Sequence, residues 1–445
     1  MSRLHPNPPP PPPPSLVVRG RQVYTADGPV AAAILIAGGV IESIQPFDYS
    51  SAAPVFDAGD LPVLPGLVDT HVHINEPGRT DWEGFRTATR AAAAGGVTTL
   101  VDMPLNSIPA TTSVDGLRAK IAAARGQCWV DVGFWGGVVP GNTPEIAPLV
   151  KEGVLGFKCF LTPSGVDEFP NVTEADLRQA LPEIERLGAI LLVHAELPGL
   201  LKPIEGDPKS YRNYLDSRPR ASENEAIALM IRLNKIFGSW IHIVHLSSAD
   251  ALRSFQRGHG VAIETCPHYL TFAAEEIPDG ATEFKCAPPI RERENRERLW
   301  AALEEGVIQL VVSDHSPCPP AMKSGDFASA WGGIASLQFG LAIMWKHIHD
   351  RGIAPKRLVE WMSATPAGIA GLPYRKGGIA PGRDADLVIW NPNAPPPTEL
   401  HHRHKLTPYQ PHHYPGAVEA TFLRGQKIYE RGSFASTPLG AILKP

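Results

Sequence analysis

The chain has 445 residues, more than one compact core usually holds, so a large domain with a smaller companion is the expected organisation. Hydrophobic residues make up 43% and charged residues 20%, which is ordinary for a soluble globular enzyme. The formal net charge of −5 leaves no basic surplus for nucleic acid or an anionic membrane, and a small-molecule substrate is expected instead.

Residues 1–14 end in an unbroken proline run, prolines 8–14, which favours extended polyproline II and reads as a solvated, disordered tail. This segment lacks the apolar core of a signal peptide, and no apolar stretch reaches transmembrane length. The terminal Ile442-Leu443-Lys444-Pro445 is not a peroxisomal address, so a cytoplasmic location is expected. Cys128, Cys159, Cys266, Cys286 and Cys318 are odd in number and scattered, which fits a reducing compartment rather than a disulfide framework. None forms a C-x-x-C pair, so a thiolate zinc site is not expected.

From 15 to 64, short β-type runs at 15–19, 31–36 and 40–44 alternate with turns such as Asp27-Gly28 and Gly38-Gly39. The same texture returns over 373–445, in runs at 385–390 and 420–429. Two strand-rich ends around a long middle predict one small composite β domain, a β-sandwich.

The middle, 65–372, reads differently. Apolar runs at 66–71, 98–103, 154–160, 189–194, 240–246, 261–266 and 307–313 alternate with amphipathic helical stretches at 82–94, 114–124, 174–187 and 222–237. This is an α/β pattern, and about eight such units close a (β/α)8 TIM-type barrel. An open doubly wound sheet is the structural alternative, but no G-x-G-x-x-G opens a helix after a strand.

Several apolar runs end in a side chain able to bind metal. His71 and His73 follow the first run two residues apart, on one side of a strand, so both imidazoles can reach one ion. The pair is weak evidence alone and gains weight at the carboxyl end of a barrel strand, where such active sites lie. Lys158 ends another run. Taken alone it reads as a snorkelling surface lysine; the sharper alternative is a lysine of depressed pKa that reacts with carbon dioxide to a carbamate able to bridge two cations. His194, His245 and Asp314 end three more runs, whereas strict alternation turns His242 outward and His315 away from the site. Six such residues at the ends of five runs are hard to explain as accident. They offer nitrogen and oxygen ligands suited to two divalent ions, zinc first, with cobalt, manganese and nickel as alternatives, holding a bridging hydroxide.

In this order the residues resemble the cyclic amidohydrolase branch of the amidohydrolase superfamily, which includes hydantoinases, dihydropyrimidinases, dihydroorotases and allantoinases. The likeness spans nearly the whole chain after the proline tail. It implies that His71, His73 and Asp314 bind one metal, that His194 and His245 bind the other, and that carboxylated Lys158 (N6-carboxylysine, formed with CO2) bridges them. It also implies a homo-oligomer, commonly a tetramer. Longer stretches look like allantoinases in particular: PGLVDTHVHINEPGRTDWE (65–83), GFKCF (156–160), CPHY (266–269), KCAPPIR (285–291), SDHSPCP (313–319) and AWGGI (330–334). Small departures are Ala195, where Cys is often expected, and Ala287, where Ser is acceptable.

Among the relatives, dihydroorotases place an arginine two residues after the second metal histidine to grip a carboxylate. Here that position is Asn75, which argues against an anionic substrate. Hydantoinases and dihydropyrimidinases place a tyrosine a few residues after the bridging lysine, and Phe160-Leu161-Thr162-Pro163-Ser164 offers none. The resemblance therefore implies hydrolysis of the ring amide of allantoin to allantoate, in purine catabolism, with Asp314 as general acid and base. Ser316, Asn75 and Asn106 are expected substrate contacts, with backbone groups at Ala287 and Gly332. A dihydropyrimidinase or hydantoinase is the enzymatic alternative. The non-enzymatic one is a silent scaffold of the same fold, which predicts missing ligands; none is missing. His401, His402, His404, His412 and His413 read as a loop or subunit contact, and His268 as an organiser of the site's outer layer.

Overall fold

The computed structural model describes residues 14–255, 260–409 and 414–445. Most of the proline tail, and His412 and His413, lie outside them.

Eight parallel strands form the large unit: β1 Leu67–Val72, β2 Val97–Asp102, β3 Asp131–Phe134, β4 Phe157–Phe160, β5 Ile190–His194, β6 Trp240–Ile243, β7 Val261–Thr265 and β8 Leu310–Val311. Each pairs in parallel with the next, β3 reaching β4 through the short continuation Gly136–Gly137. The ring closes where His73 N donates to His315 O at 2.8 Å and where the Asp69 carboxylate accepts from Ser313 N at 3.1 Å. Most strand residues are buried on both faces, as expected when helices cover a parallel sheet. This is the (β/α)8 barrel expected from the alternation.

The helices follow the apolar stripes. Phe85–Ala94 (α1), Val114–Ala124 (α2), Glu174–Arg186 (α3) and Arg220–Phe237 (α4) pack between strands. α3 begins with a capping box in which Thr173 Oγ1 accepts from Asp176 N and Asp176 accepts from Thr173 N. α1 begins at Phe85 rather than at 82, because Gly84 has φ 120°, a conformation no helix continues through, and Glu76 caps Phe85 N at 2.8 Å. β3 was not among the apolar runs. Gly133 and the glycines of the continuation dilute the pattern, yet one in the continuation is sterically required: a Cβ on Gly137 would lie 2.4 Å from the Phe169 ring.

The terminal segments meet in one hydrogen-bonded sheet of nine strands, built from residues 16–65 and 387–434. It curls around its own core, in which Val18, Ile34 and Val63 from one segment pack with Leu387, Ile389 and Phe422 from the other. A buried ionic knot ties it to the base of the barrel. Lys376 Nζ lies 2.7 Å from both Asp131 and Asp386 and 2.9 Å from Asp384, and Arg424 also pairs with Asp131. Two later pieces return to the barrel: residue 442 bridges to Val132 of β3, and Arg403 N donates to Glu83. No helix among the described residues is long and apolar enough to cross a membrane.

Candidate metal centre

The carboxyl ends of β1, β4, β5, β6 and β8 converge on one cavity of about 390 Å³. His71, His73, His194, His245 and Asp314 all line it, and Lys158 lies buried against the group. Asp314 Oδ1 stands 3.3 Å from His71 Nε2 and 3.7 Å from His73 Nε2, and the three offer ligand atoms within 4.8 Å of one another. A second cluster adjoins: His194 Nδ1 is 3.0 Å from His245 Nε2, and the His71 and His245 rings are 5.3 Å apart.

Neighbouring carboxylates set which nitrogens face inward. Glu264 takes His71 Nδ1 at 2.5 Å, leaving Nε2 towards Asp314. Glu196, itself paired with Arg218 at 2.6 Å, takes His194 Nε2 at 2.9 Å and leaves Nδ1 towards His245. Such outer contacts fix ring orientation and raise ligand basicity. Burial holds His194 down at about 4 and His73 and His245 well below the usual imidazole value, so all three present neutral lone pairs at pH 7. Burial also raises the Asp314 carboxyl above its usual range.

Lys158 is fully buried at the end of β4, and its Nζ has no hydrogen-bond partner. Burial pulls its pKa down to about 8, against the opposing pull of Glu264 and Asp314. An orphaned, partly neutral amine beside four imidazoles and a carboxylate fits a carbamate bridging two divalent ions. The donor set is complete without any sulfur ligand. The Phe160 ring lies below the amine, 4.9 Å from Nζ, and stacks on His194 at 4.6 Å.

His242 departs from expectation. It is fully buried, and its Nε2 meets Glu264 Oε2 at 2.7 Å, so it belongs to the site's supporting layer rather than packing outward. Alternation failed because β6 ends at Ile243 and His245 takes φ 40°, which lets His242 and His245 share the interior. Asp314 likewise has φ 46°, beyond the end of β8. Positive φ at a non-glycine residue is backbone strain of the sort held at functional sites. His315 stays out of the cluster, donating to Glu83 at 3.3 Å and accepting from Ser336 N at 3.1 Å.

Asn106, Ser316, Ala287 and Gly332 line the cavity. Asn75 stands behind the wall, accepting from Asn106 at 3.1 Å, while Asn106 Oδ1 is buried without a partner. Sequence reasoning passed over Glu264, Glu196, Arg218, Tyr214 and Trp331, the last three of which also line the cavity. Glu264 carried a readable signal, an acid inside the apolar run at 261–266. Arg218 and Tyr214 come from a segment between strands and carried none.

The amidohydrolase family model matches residues 63–428. An allantoinase of Streptomyces avermitilis is 48% identical over 439 residues, covering 96% of this chain and 98% of that protein. An allantoinase of Saccharomyces cerevisiae is 48% identical over 398 residues, covering 86% of each. Among solved structures, an L-hydantoinase (dihydropyrimidinase) from Arthrobacter aurescens superposes with a TM-score of 0.91 at 30% identity, covering 97% of this chain and 100% of that one.

Proposed function

The chain belongs to the amidohydrolase family and, within it, to the allantoinases, and from that premise we propose that it opens the ring amide of allantoin to allantoate at a binuclear zinc centre. His71, His73 and Asp314 would hold one ion and His194 and His245 the other, with Lys158, as N6-carboxylysine, supplying a carboxylate-like ligand to both. The observation that carries this reading is the orphaned Lys158 amine, buried in the same cluster as four imidazoles and Asp314. A silent scaffold needs no such arrangement.

When bound, two divalent ions supply a nucleophilic hydroxide at neutral pH and polarise the ring carbonyl. Asp314, kept less acidic than usual by burial, accepts the proton of the attacking water and returns it to the ring nitrogen as the carbon–nitrogen bond breaks. Asn106, with its free carbonyl oxygen and with Asn75 behind it, accepts from a ureido or ring N–H. Ser316 and backbone groups at Ala287 and Gly332 orient the ring from the opposite wall. Phe160, Pro163 and Trp331 give the cavity part of its apolar wall.

The wider reading is a cytoplasmic homotetramer in purine catabolism. Five free, buried cysteines favour a reducing compartment, and sedimentation tests the tetramer. The second reading, a hydantoinase or dihydropyrimidinase, is favoured by the superposition and opposed by Phe160 and its successors, which supply no tyrosine. Side-by-side assays on allantoin, hydantoin and dihydrouracil, with metal content measured on the same preparation, separate the two. Allantoin is expected to give the highest kcat/KM, with zinc at two ions per chain. A higher kcat/KM on dihydrouracil or hydantoin overturns the assignment.

A further inference from the structure

Just beyond β7, Cys266 and the short helix Pro267–Thr271 bring a second pair of donors to Asp314. Cys266 Sγ, a ring nitrogen of His268 and a carboxylate oxygen of Asp314 lie within 4.8 Å of one another, and all three residues are buried. Neither ring nitrogen of His268 has a hydrogen-bond partner, although the residue is wholly inaccessible to solvent. Buried polar groups are ordinarily paired, and an imidazole unpaired at both nitrogens needs an explanation. Its neighbour Tyr269, equally buried, is satisfied through Pro288 O at 2.7 Å, so the local chain is able to supply partners.

We propose that Cys266, His268 and Asp314 form a third cation site, distinct from the catalytic pair, that takes a borderline or soft divalent ion such as zinc or cadmium and thereby withdraws Asp314 from proton transfer. The binding half stands on geometry alone; the inhibitory half rests on the role of Asp314 proposed above. Ligand atoms around a four-coordinate ion of this type sit roughly 3.3–3.8 Å apart, so the trio needs only small side-chain rotations to close. Sulfur, nitrogen and oxygen donors with water in the fourth position favour soft ions, whereas the catalytic ligands include no sulfur. Ligation converts the Cys266 thiol to a thiolate and releases one proton to solvent. Asp314 already touches His71 and His73 through Oδ1, so an ion drawing on the same carboxylate competes with the catalytic geometry.

The test starts from protein carrying its full catalytic complement of zinc. Cadmium is titrated in, while ultraviolet thiolate-to-cadmium absorption and allantoin turnover are followed together. The expected result is an absorption band that saturates at one further ion per chain, with turnover falling in step. Cys266→Ser loses both the band and the inhibition and keeps its cadmium-free turnover; His268→Ala shifts the titration to higher cadmium; Cys286→Ser, altered at the cavity wall, keeps the band. Cadmium NMR of the parent protein, where a single thiolate ligand shifts the resonance downfield, reads the same site without any variant. The site is overturned if no band forms, or if it survives in Cys266→Ser. A band with undiminished turnover overturns the inhibitory half, while leaving the allantoinase reading intact.

Discussion

Glu264 holds Nδ1 of His71 at 2.5 Å, and this contact turns Nε2 of His71 towards Asp314. The same carboxylate receives His242 at 2.7 Å and the backbone N–H of His245 at 3.2 Å, so one buried acid organises ligands from β1 and from the end of β6. Burial pushes its pKa up, but His71 and His242 outweigh that and hold it well below the usual carboxylate range. Glu264→Gln keeps the shape and removes the charge. Loss of such an outer partner typically costs about 10–100-fold in metal affinity or activity. Equilibrium dialysis against zinc, with turnover on the same samples, is expected to fall in that range; unchanged zinc affinity defeats the orienting role.

Lys158 offers a sharper test of the bridge. Lys158→Ala removes the amine that a carbamate is built on, so most activity and most bound metal are expected to be lost. Acetate or propionate, small enough for the space left, is expected to restore part of both by supplying a two-oxygen anion. Lys158→Arg keeps the charge but cannot form a carbamate, and no rescue is expected there. Full turnover by Lys158→Ala without added acid rules the bridge out.

The amine's pKa of about 8 in the metal-free chain gives the reaction with carbon dioxide a defined pH dependence. Only the neutral amine reacts. Burial lowers the pKa from 10.5, so the neutral fraction is larger at every pH below 10 than for an exposed lysine. Below about 8 that fraction falls ~10-fold per pH unit, and above it the fraction levels off. Reactivation of metal-stripped protein with zinc at fixed dissolved carbon dioxide is therefore expected to quicken from pH 6 to about pH 8 and then flatten. A rate that is flat across that range, or that keeps climbing past pH 10 as an exposed lysine would, contradicts a buried amine.

The barrel and all six proposed ligands were legible because parallel strands bury both faces. An ionisable residue at the end of an apolar run then stands out, as Lys158 and Asp314 do. Where the chain leaves the ideal strand, that reasoning broke. His242 was turned outward by an alternation that φ 40° at His245 cancels. β3 and its continuation escaped because close contacts such as that of Gly137 with Phe169 demand glycine where a strand reader looks for branched apolar residues. The cavity walls contributed by Arg218 and Tyr214 were hidden for a different reason. They lie far from any motif in sequence and become neighbours of the site only through the salt bridge to Glu196 and the hydrogen bond from Tyr214 to Cys286 O at 2.6 Å.

Lys376 supports a prediction far from the cavity. It is buried among Asp131, Asp384 and Asp386, on the segment between the barrel and the terminal sheet; Arg424 also pairs with Asp131, and Arg375 with Asp384 at 3.1 Å. Burial favours a neutral amine, but the three carboxylates outweigh it and raise the pKa above that of a free lysine. The ammonium ion is therefore retained at any working pH. Lys376→Met replaces it with a side chain of similar length, leaving three buried acids facing one another with only the half-exposed Arg375 on Asp384 and Arg424 on Asp131. Breaking a buried ion pair by removing one partner costs about 3–5 kcal/mol, because the remaining charge is stranded. The thermal midpoint is expected to drop by several degrees, while zinc stoichiometry and KM for allantoin at low temperature stay with the parent. Moving to a pH below the carboxylates' range should recover part of the lost stability in the variant relative to the parent, since protonated acids no longer repel. A variant as stable as the parent at neutral pH would show that the knot is not what secures the terminal sheet to β3.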